Sequence, residues 1–248
     1  MIEALLAALG AWETWAAAAA TAVAGLMRGY AGFGTAMILA PVYSVLWGPQ
    51  AGVPVMLLME LIVSLQLLKL GLKDADRRVI LPLGGAAAVG TPLGAYVLLA
   101  ADPDILQRVI GALVLVFGFL LLSGWRYTGM RPLPLNLAVG TVSGLMKGAT
   151  GMSGPPVILY LLAGPEDARR HRANLILFFA LIAVISVVVP VLAGLVTWPV
   201  LLNFLLMLPI LMGFVRIGAS LFGVIPMRFY KPFALGVLLT SGSIALFG

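Results

Sequence analysis

Four charged side chains lie inside apolar stretches of this sequence: Arg28, Glu60, Lys147 and Arg216. A charge at the centre of a membrane helix costs about 2.5–3.5 kcal/mol on insertion scales, so each needs a counter-ion, water or a ligand. Two of the four belong to a repeated phrase, GLMRGYAGFG from Gly25 to Gly34 and GLMKGATGMSGPP from Gly144 to Pro156. Gly25, Leu26, Met27, Gly29 and Gly32 recur 119 residues later as Gly144, Leu145, Met146, Gly148 and Gly151, and Arg28 recurs as Lys147.

Glycines at 29, 32, 34, 148, 151 and 154 permit positive φ and leave backbone N–H groups open to close approach. Pro155 and Pro156 suit the first turn of a restarting helix, and Thr35 and Ser153 are placed to cap such helices or to touch a ligand. Free N–H groups at the positive end of a helix, with a cation beside them, form a cradle for an anion. Its expected members are Arg28, Gly29, Gly32, Phe33, Gly34 and Thr35 in the first copy, and Lys147, Gly148, Gly151, Met152, Ser153 and Gly154 in the second, with Arg216. Glu60 is then a counter-ion to one of the cations or a proton carrier, and the four charges together carry +2, which suits a dianion. The competing use of the same glycines is close helix packing of the GxxxG kind, and snorkelling to an interface competes for the cations. Asn203 and Gln66 offer further hydrogen bonds, or polar glue between helices.

These residues must be positioned by membrane helices. The chain of 248 residues is 62% hydrophobic and only 10% charged, far below the roughly 25% charged residues of a soluble domain. Apolar runs at 53–70, 79–100, 105–122, 173–194, 198–222 and 232–247 are long enough to cross a bilayer. Two shorter broken segments, 12–47 and 135–163, contain the repeated phrase. The expected fold is an all-α polytopic membrane protein of about eight to ten membrane helices. It divides into repeats at 1–123 and 124–248, each a broken or re-entrant hairpin followed by three spans.

Loop charge fixes the orientation. Eleven of the fifteen lysines and arginines fall in four loops, around Lys69–Arg78, Arg126–Arg131, Arg169–Arg172 and Arg228–Lys231, which the positive-inside rule places in the cytoplasm. Both termini are then outside, and the two copies of the phrase enter from opposite faces, as in the inverted repeats of secondary transporters. From helix lengths the two hairpins are expected to meet near the midplane, although the 12–28 arm is long enough nearly to span. The N-terminus lacks the basic region of a cleaved signal peptide.

Several classes of function are excluded or disfavoured. With no cysteine and a single histidine, His171, in a charged loop, thiolate or histidine metal centres are not expected, and no cofactor or metal is called for. Glu60 is the one plausible base within the spans, which argues against an enzyme. A scaffold would not need paired buried cations. The net charge of +6 is a matter of loop topology and not of nucleic-acid binding. The expected partners are a small anion, the lipid bilayer and protons as a coupling ion, with the oligomeric state open and a homodimer compatible.

The paired motifs RGYAGFG and GATGMSGPP, with a basic loop in mid-half, resemble the TauE/SafE family of bacterial inner-membrane proteins, the sulfite exporter family, over nearly the whole length. The resemblance implies transport, usually export, of small sulfur oxyanions or organosulfonates such as sulfite and sulfoacetate. An anion channel or an uptake permease for another oxyanion or carboxylate is the alternative. Arg216 is not among the features the resemblance implies, and an extra cation there would select a more highly charged anion.

Overall fold

A computed structural model of the chain describes residues 10–123, 127, 129–161, 167–222, 224, 236, 239, 240 and 242–247. The described residues are helical with short connections. Among the described residues the helices follow in the order α1 (Trp12–Ala31), α2 (Thr35–Trp47), α3 (Pro49–Asp74), α4 (Arg77–Ala100), α5 (Pro103–Leu122), α6 (Leu133–Thr150), α7 (Gly154–Leu161), α8 (Ala168–Leu192) and α9 (Trp198–Leu221). Residues 242–247 are helical as well. Residues 232–235, 237, 238 and 241 of the expected span at 232–247, the cations Arg126, Arg228 and Lys231, and residues 162–163 of the second hairpin lie outside the described residues. Among the described residues, five helices are long and apolar enough to cross a membrane: α3, α4, α5 over Pro103–Leu120, α8 and α9. The chain is an all-α polytopic membrane protein.

The helices outrun the apolar stretches because their ends are built from polar capping residues. Asp76 accepts from the Arg78 N–H, Asp102 from Asp104 and Ile105, and Asp167 from Arg170, each satisfying N–H groups that open a helix. Pro49 and Pro103 occupy the first positions of α3 and α5, where a missing N–H costs nothing.

α1 and α6 also run further than the phrase suggested. Gly29 and Gly148, expected to loosen the backbone, are inside helices; the turn comes at Gly32 and Gly151, with φ of 81° and 74°. Each donates its N–H to the carbonyl four residues back, Arg28 or Lys147, at 2.9 Å, a left-handed glycine cap. α1 therefore has 20 residues and α6 has 18, about 30 Å and 27 Å at 1.5 Å per residue. Both nearly match a hydrocarbon core of about 30 Å. The returning helices α2 and α7 are short, with 13 and 8 residues. Polar pairs pin each hairpin: Thr21 and Tyr43 hydroxyls are 2.6 Å apart, and the Tyr160 hydroxyl donates to Asn136 Oδ1 at 2.6 Å.

Why Gly29 and Gly148 stay helical is explained by what they touch. A Cβ on Gly25 or Gly29 would run into α9 at Leu211, Val215 and Ala219, and one on Gly144 or Gly148 into α4 at Ala87, Thr91 and Ala95. The reverse holds at Gly218 against Leu26 and Gly94 against Leu145. Backbone meets backbone at both crossings, and the packing offsets the entropy a helical glycine costs. The two crossings correspond residue by residue, and each joins one copy of the phrase to the other half of the chain. Gly94→Ala would place its Cβ on the Leu145 carbonyl, which cannot move aside. It should lower stability by about 1–3 kcal/mol. Gly213→Ala meets nothing within 4 Å and should be neutral or stabilising by up to about 1 kcal/mol. Thermal unfolding of the two variants in detergent measures the contrast.

α3 and α8 lie side by side and antiparallel at the centre. Gly71 near the end of α3 packs on Ala173, Ile176 and Leu177 near the start of α8. Asn174 accepts from the Asp76 N–H at 2.7 Å, and Arg169 pairs with Asp74 at 2.8 Å.

Candidate anion-binding site

The two turns contact different members of the α3–α8 pair. Gly32 faces Arg172 and Ile176 in the first turns of α8, whereas Gly151 faces Val53 and Met56 in the first turns of α3. α1 and α6 turn at their glycine caps, Gly32 and Gly151, and not at Gly29 and Gly148. What meets near the middle of α3 is the side chains sent back from the turns.

Arg28 donates from Nη1 to the Gly32 carbonyl at 2.9 Å and from Nη2 to Ser64 Oγ at 3.2 Å, and its guanidinium lies 4.6 Å from the centroid of Phe179. Lys147 donates to the Gly151 carbonyl at 3.0 Å and forms an ion pair with Glu60. Both cations are 1% exposed and Glu60 is 4% exposed. Glu60 and Ser64 are one turn apart on α3, so a single helix face receives both cations. Glu60 also acts electrostatically on Arg28.

Each cation thus caps its own helix, meeting an orphan carbonyl at the negative end of the dipole. Capping accounts for Lys147, whose charge Glu60 balances. It does not account for Arg28, which contacts no carboxylate. Its Nε is buried without a hydrogen-bond partner, as are Thr35 Oγ1 and Ser153 Oγ beside the two turns. Buried donors are almost always satisfied, and an unbalanced buried guanidinium costs several kcal/mol. Such a cluster has the chemistry to hold an anion.

The remaining expected members fall in different places. Gly34 is in a left-handed conformation and is the N-cap of α2, so Thr35 is the first helical residue and does not cap it. Phe33 is partly buried, and Met152 is fully buried in the core. Gly154 opens α7. Gly29 and Gly148 lie in the helix crossings. Arg216, counted among the charges of the site, is exposed on α9, away from the cluster, and makes no ion pair among the described residues. Its exclusion reduces the buried charge to +1, carried by Arg28, Lys147 and Glu60. Gln66 is half-buried with an unpartnered Oε1, and Asn203 is half-buried on α9.

Three contacts were not anticipated. Ser64 follows Glu60 by four residues, a spacing that puts it on the same helix face. Phe179 occupies in the second half the position that Glu60 holds in the first, at the same 119-residue offset that relates Lys147 to Arg28. Arg172, counted as a loop cation, is half-buried, donates to the Gly29 carbonyl at 2.5 Å and stacks 4.4 Å from the Phe222 ring centroid. The repeat offset would have found Phe179; nothing in the sequence marks Arg172.

A cavity of about 370 Å³ opens at the helix ends around Trp47, Gly48, Pro49, Gln50, Pro103 and Thr197. Its lining carries no charged side chain. Among the described residues there is no group of metal-ligating side chains.

Antiparallel apolar helices and paired hairpins place the chain among multi-pass membrane proteins. The profile of the family described as Sulfite exporter TauE/SafE matches residues 17–244, and the chain belongs to that family of membrane transporters. No curated protein and no solved structure matches it.

Proposed function

We infer that the protein is a secondary transporter, working as an exporter, for a small anion such as sulfite or an organosulfonate, held by Arg28 near the middle of α3. The observation that carries this reading is a fully buried guanidinium with no carboxylate partner and an unsatisfied Nε. An anion would supply both the missing charge and the missing acceptor. Thr35 and Ser153 hydroxyls are free to add hydrogen bonds. Glu60 is the group through which protons would couple, because its protonation would release Lys147 to the ligand. The corresponding crossings of α1 with α9 and α6 with α4 support an inverted repeat whose halves move against each other to alternate access. Loop charges support a bacterial inner-membrane location with both termini outside. The burial of both cations suits a carrier that opens to one side at a time better than a channel.

Purified protein should unfold at higher temperature with a bound anion. Stabilisation reaches about 2.7 kcal/mol at a hundred times Kd. The panel is sulfite, sulfate, sulfoacetate, taurine and small dicarboxylates, each against chloride at equal ionic strength. In proteoliposomes, flux of the stabilising anion should saturate and respond to a proton gradient. Flux that rises linearly and ignores the gradient would favour a channel, and no response to any anion would defeat the reading.

A further inference from the structure

We propose that Glu60 sets the valence of the bound anion: by pairing with Lys147 it leaves one uncompensated buried charge, on Arg28, and so selects a monoanion of the sulfonate type over a dianion. This rests on the anion-site reading above and goes beyond it to the class of ligand.

The symmetry between the two halves is broken at one position. Arg28 and Lys147 hold equivalent places in the two copies, and each donates to the carbonyl of its own capping glycine. The positions facing them are also equivalent, but one is Glu60 and the other Phe179. Carboxylates at both positions would neutralise the cluster and leave an anion nothing to balance. Aromatics at both would leave +2. One of each leaves +1, which a monoanion brings to neutrality. A dianion would bury a net negative charge beside apolar side chains such as Phe179 and Met56, with no remaining cation of the cluster to offset it. Arg216 is exposed on α9, and Arg172 is half-buried and donates to the Gly29 carbonyl, so neither belongs to the buried cluster around Glu60.

Phe179 contributes to the same selection. Its ring face stabilises the guanidinium without neutralising it. The plane of Arg28 is held by the ring, Ser64 and the Gly32 carbonyl, with Nε left over for the ligand.

Methanesulfonate and sulfate test this directly, being tetrahedral sulfur oxyanions of similar size with fixed charges of one and two at neutral pH. Thermal unfolding is followed for each as the sodium salt against chloride at equal ionic strength. The response of Arg28→Met is subtracted, since sulfate also strengthens burial non-specifically. Wild-type protein should respond to methanesulfonate at concentrations about tenfold or more below those for sulfate, and Glu60→Gln should reverse or erase that preference. Phe179→Glu, which pairs Arg28 as Glu60 pairs Lys147, should respond to neither. If wild-type protein responds to neither anion, the anion-site reading itself fails. If it responds to sulfate as readily as to methanesulfonate, or if Glu60→Gln leaves the ratio unchanged, the site stands and the valence assignment is overturned. Should Glu60→Gln not insert, Phe179→Glu decides: a wild-type response to methanesulfonate in that variant overturns the assignment.

Discussion

Lys147→Met should destabilise the protein by about 3–5 kcal/mol, the usual cost of stranding one partner of a buried ion pair. Glu60 is 4% exposed and faces Lys147 across the centre of the bundle. With the ammonium gone, the carboxylate must either protonate or remain charged among apolar side chains. The Gly151 carbonyl loses its donor at the same time, adding about 1–3 kcal/mol for an unsatisfied buried acceptor. A second substitution separates stability from transport. Lys147→Met combined with Glu60→Leu removes both charges, and replacing a buried pair by apolar side chains is often neutral or stabilising. The double variant should therefore unfold within about 1 kcal/mol of wild type, apart from the lost cap. Neither variant should transport the anion, because neither retains the pair through which Glu60 is proposed to couple. Thermal unfolding in detergent and flux in proteoliposomes read the two properties separately. A single variant as stable as wild type would show that the pair does not hold the bundle, and wild-type flux in the double variant would remove Lys147 and Glu60 from the mechanism.

How far the residues could be read without coordinates depends on which physical signal each one carried. Composition settled the membrane class, since 10% charge cannot cover a soluble surface. The repeated phrase singled out the two cations and the two turns, but did not show how the phrase divides. Gly25 and Gly29 serve a helix crossing, whereas Gly32 and Gly34 make the turn, because a glycine that packs on another backbone and one that takes positive φ look identical in a sequence. Arg216 illustrates a different limit. In a soluble helix the polar face is visible in the pattern, but here both the lipid-facing and the buried surfaces of α9 are apolar, so its sequence does not show which way residue 216 points. The aromatic partner of Arg28 was accessible in principle. Applying the 119-residue offset to Glu60 leads to Phe179 and exposes the asymmetry on which the charge count turns.

Arg28→Met should behave in the opposite way to Lys147→Met, although the two cations hold equivalent positions. The substitution removes two hydrogen bonds from a charged donor, about 1.5–3 kcal/mol each at most, and a stacking contact worth up to about 2 kcal/mol. Against this, it removes a buried charge with no carboxylate in contact and an unsatisfied Nε, a burden of several kcal/mol. These contributions nearly cancel, so stability in the absence of ligand should change by about 1 kcal/mol or less in either direction. Methionine also fills an irregular apolar space well beside Phe179. Binding should change far more. With Glu60 and Lys147 left to neutralise each other, the cluster carries no net charge, and a bound anion would lie buried and unbalanced. Affinity should fall about a hundredfold or more, equivalent to about 3 kcal/mol. The measurement is the anion-induced rise in unfolding temperature, which should disappear in Arg28→Met while the unliganded value stays close to wild type. Arg28→Lys tests whether charge alone suffices: an ammonium restores the charge but loses the planar fork and the stacking on Phe179, so it should recover only part of the response. If Arg28→Met proved as unstable as Lys147→Met, Arg28 would have to be a structural cap like its counterpart, and the unpaired charge would no longer argue for a ligand. The different expected behaviour of two equivalent residues follows from one difference between the halves, a carboxylate facing Lys147 and an aromatic ring facing Arg28.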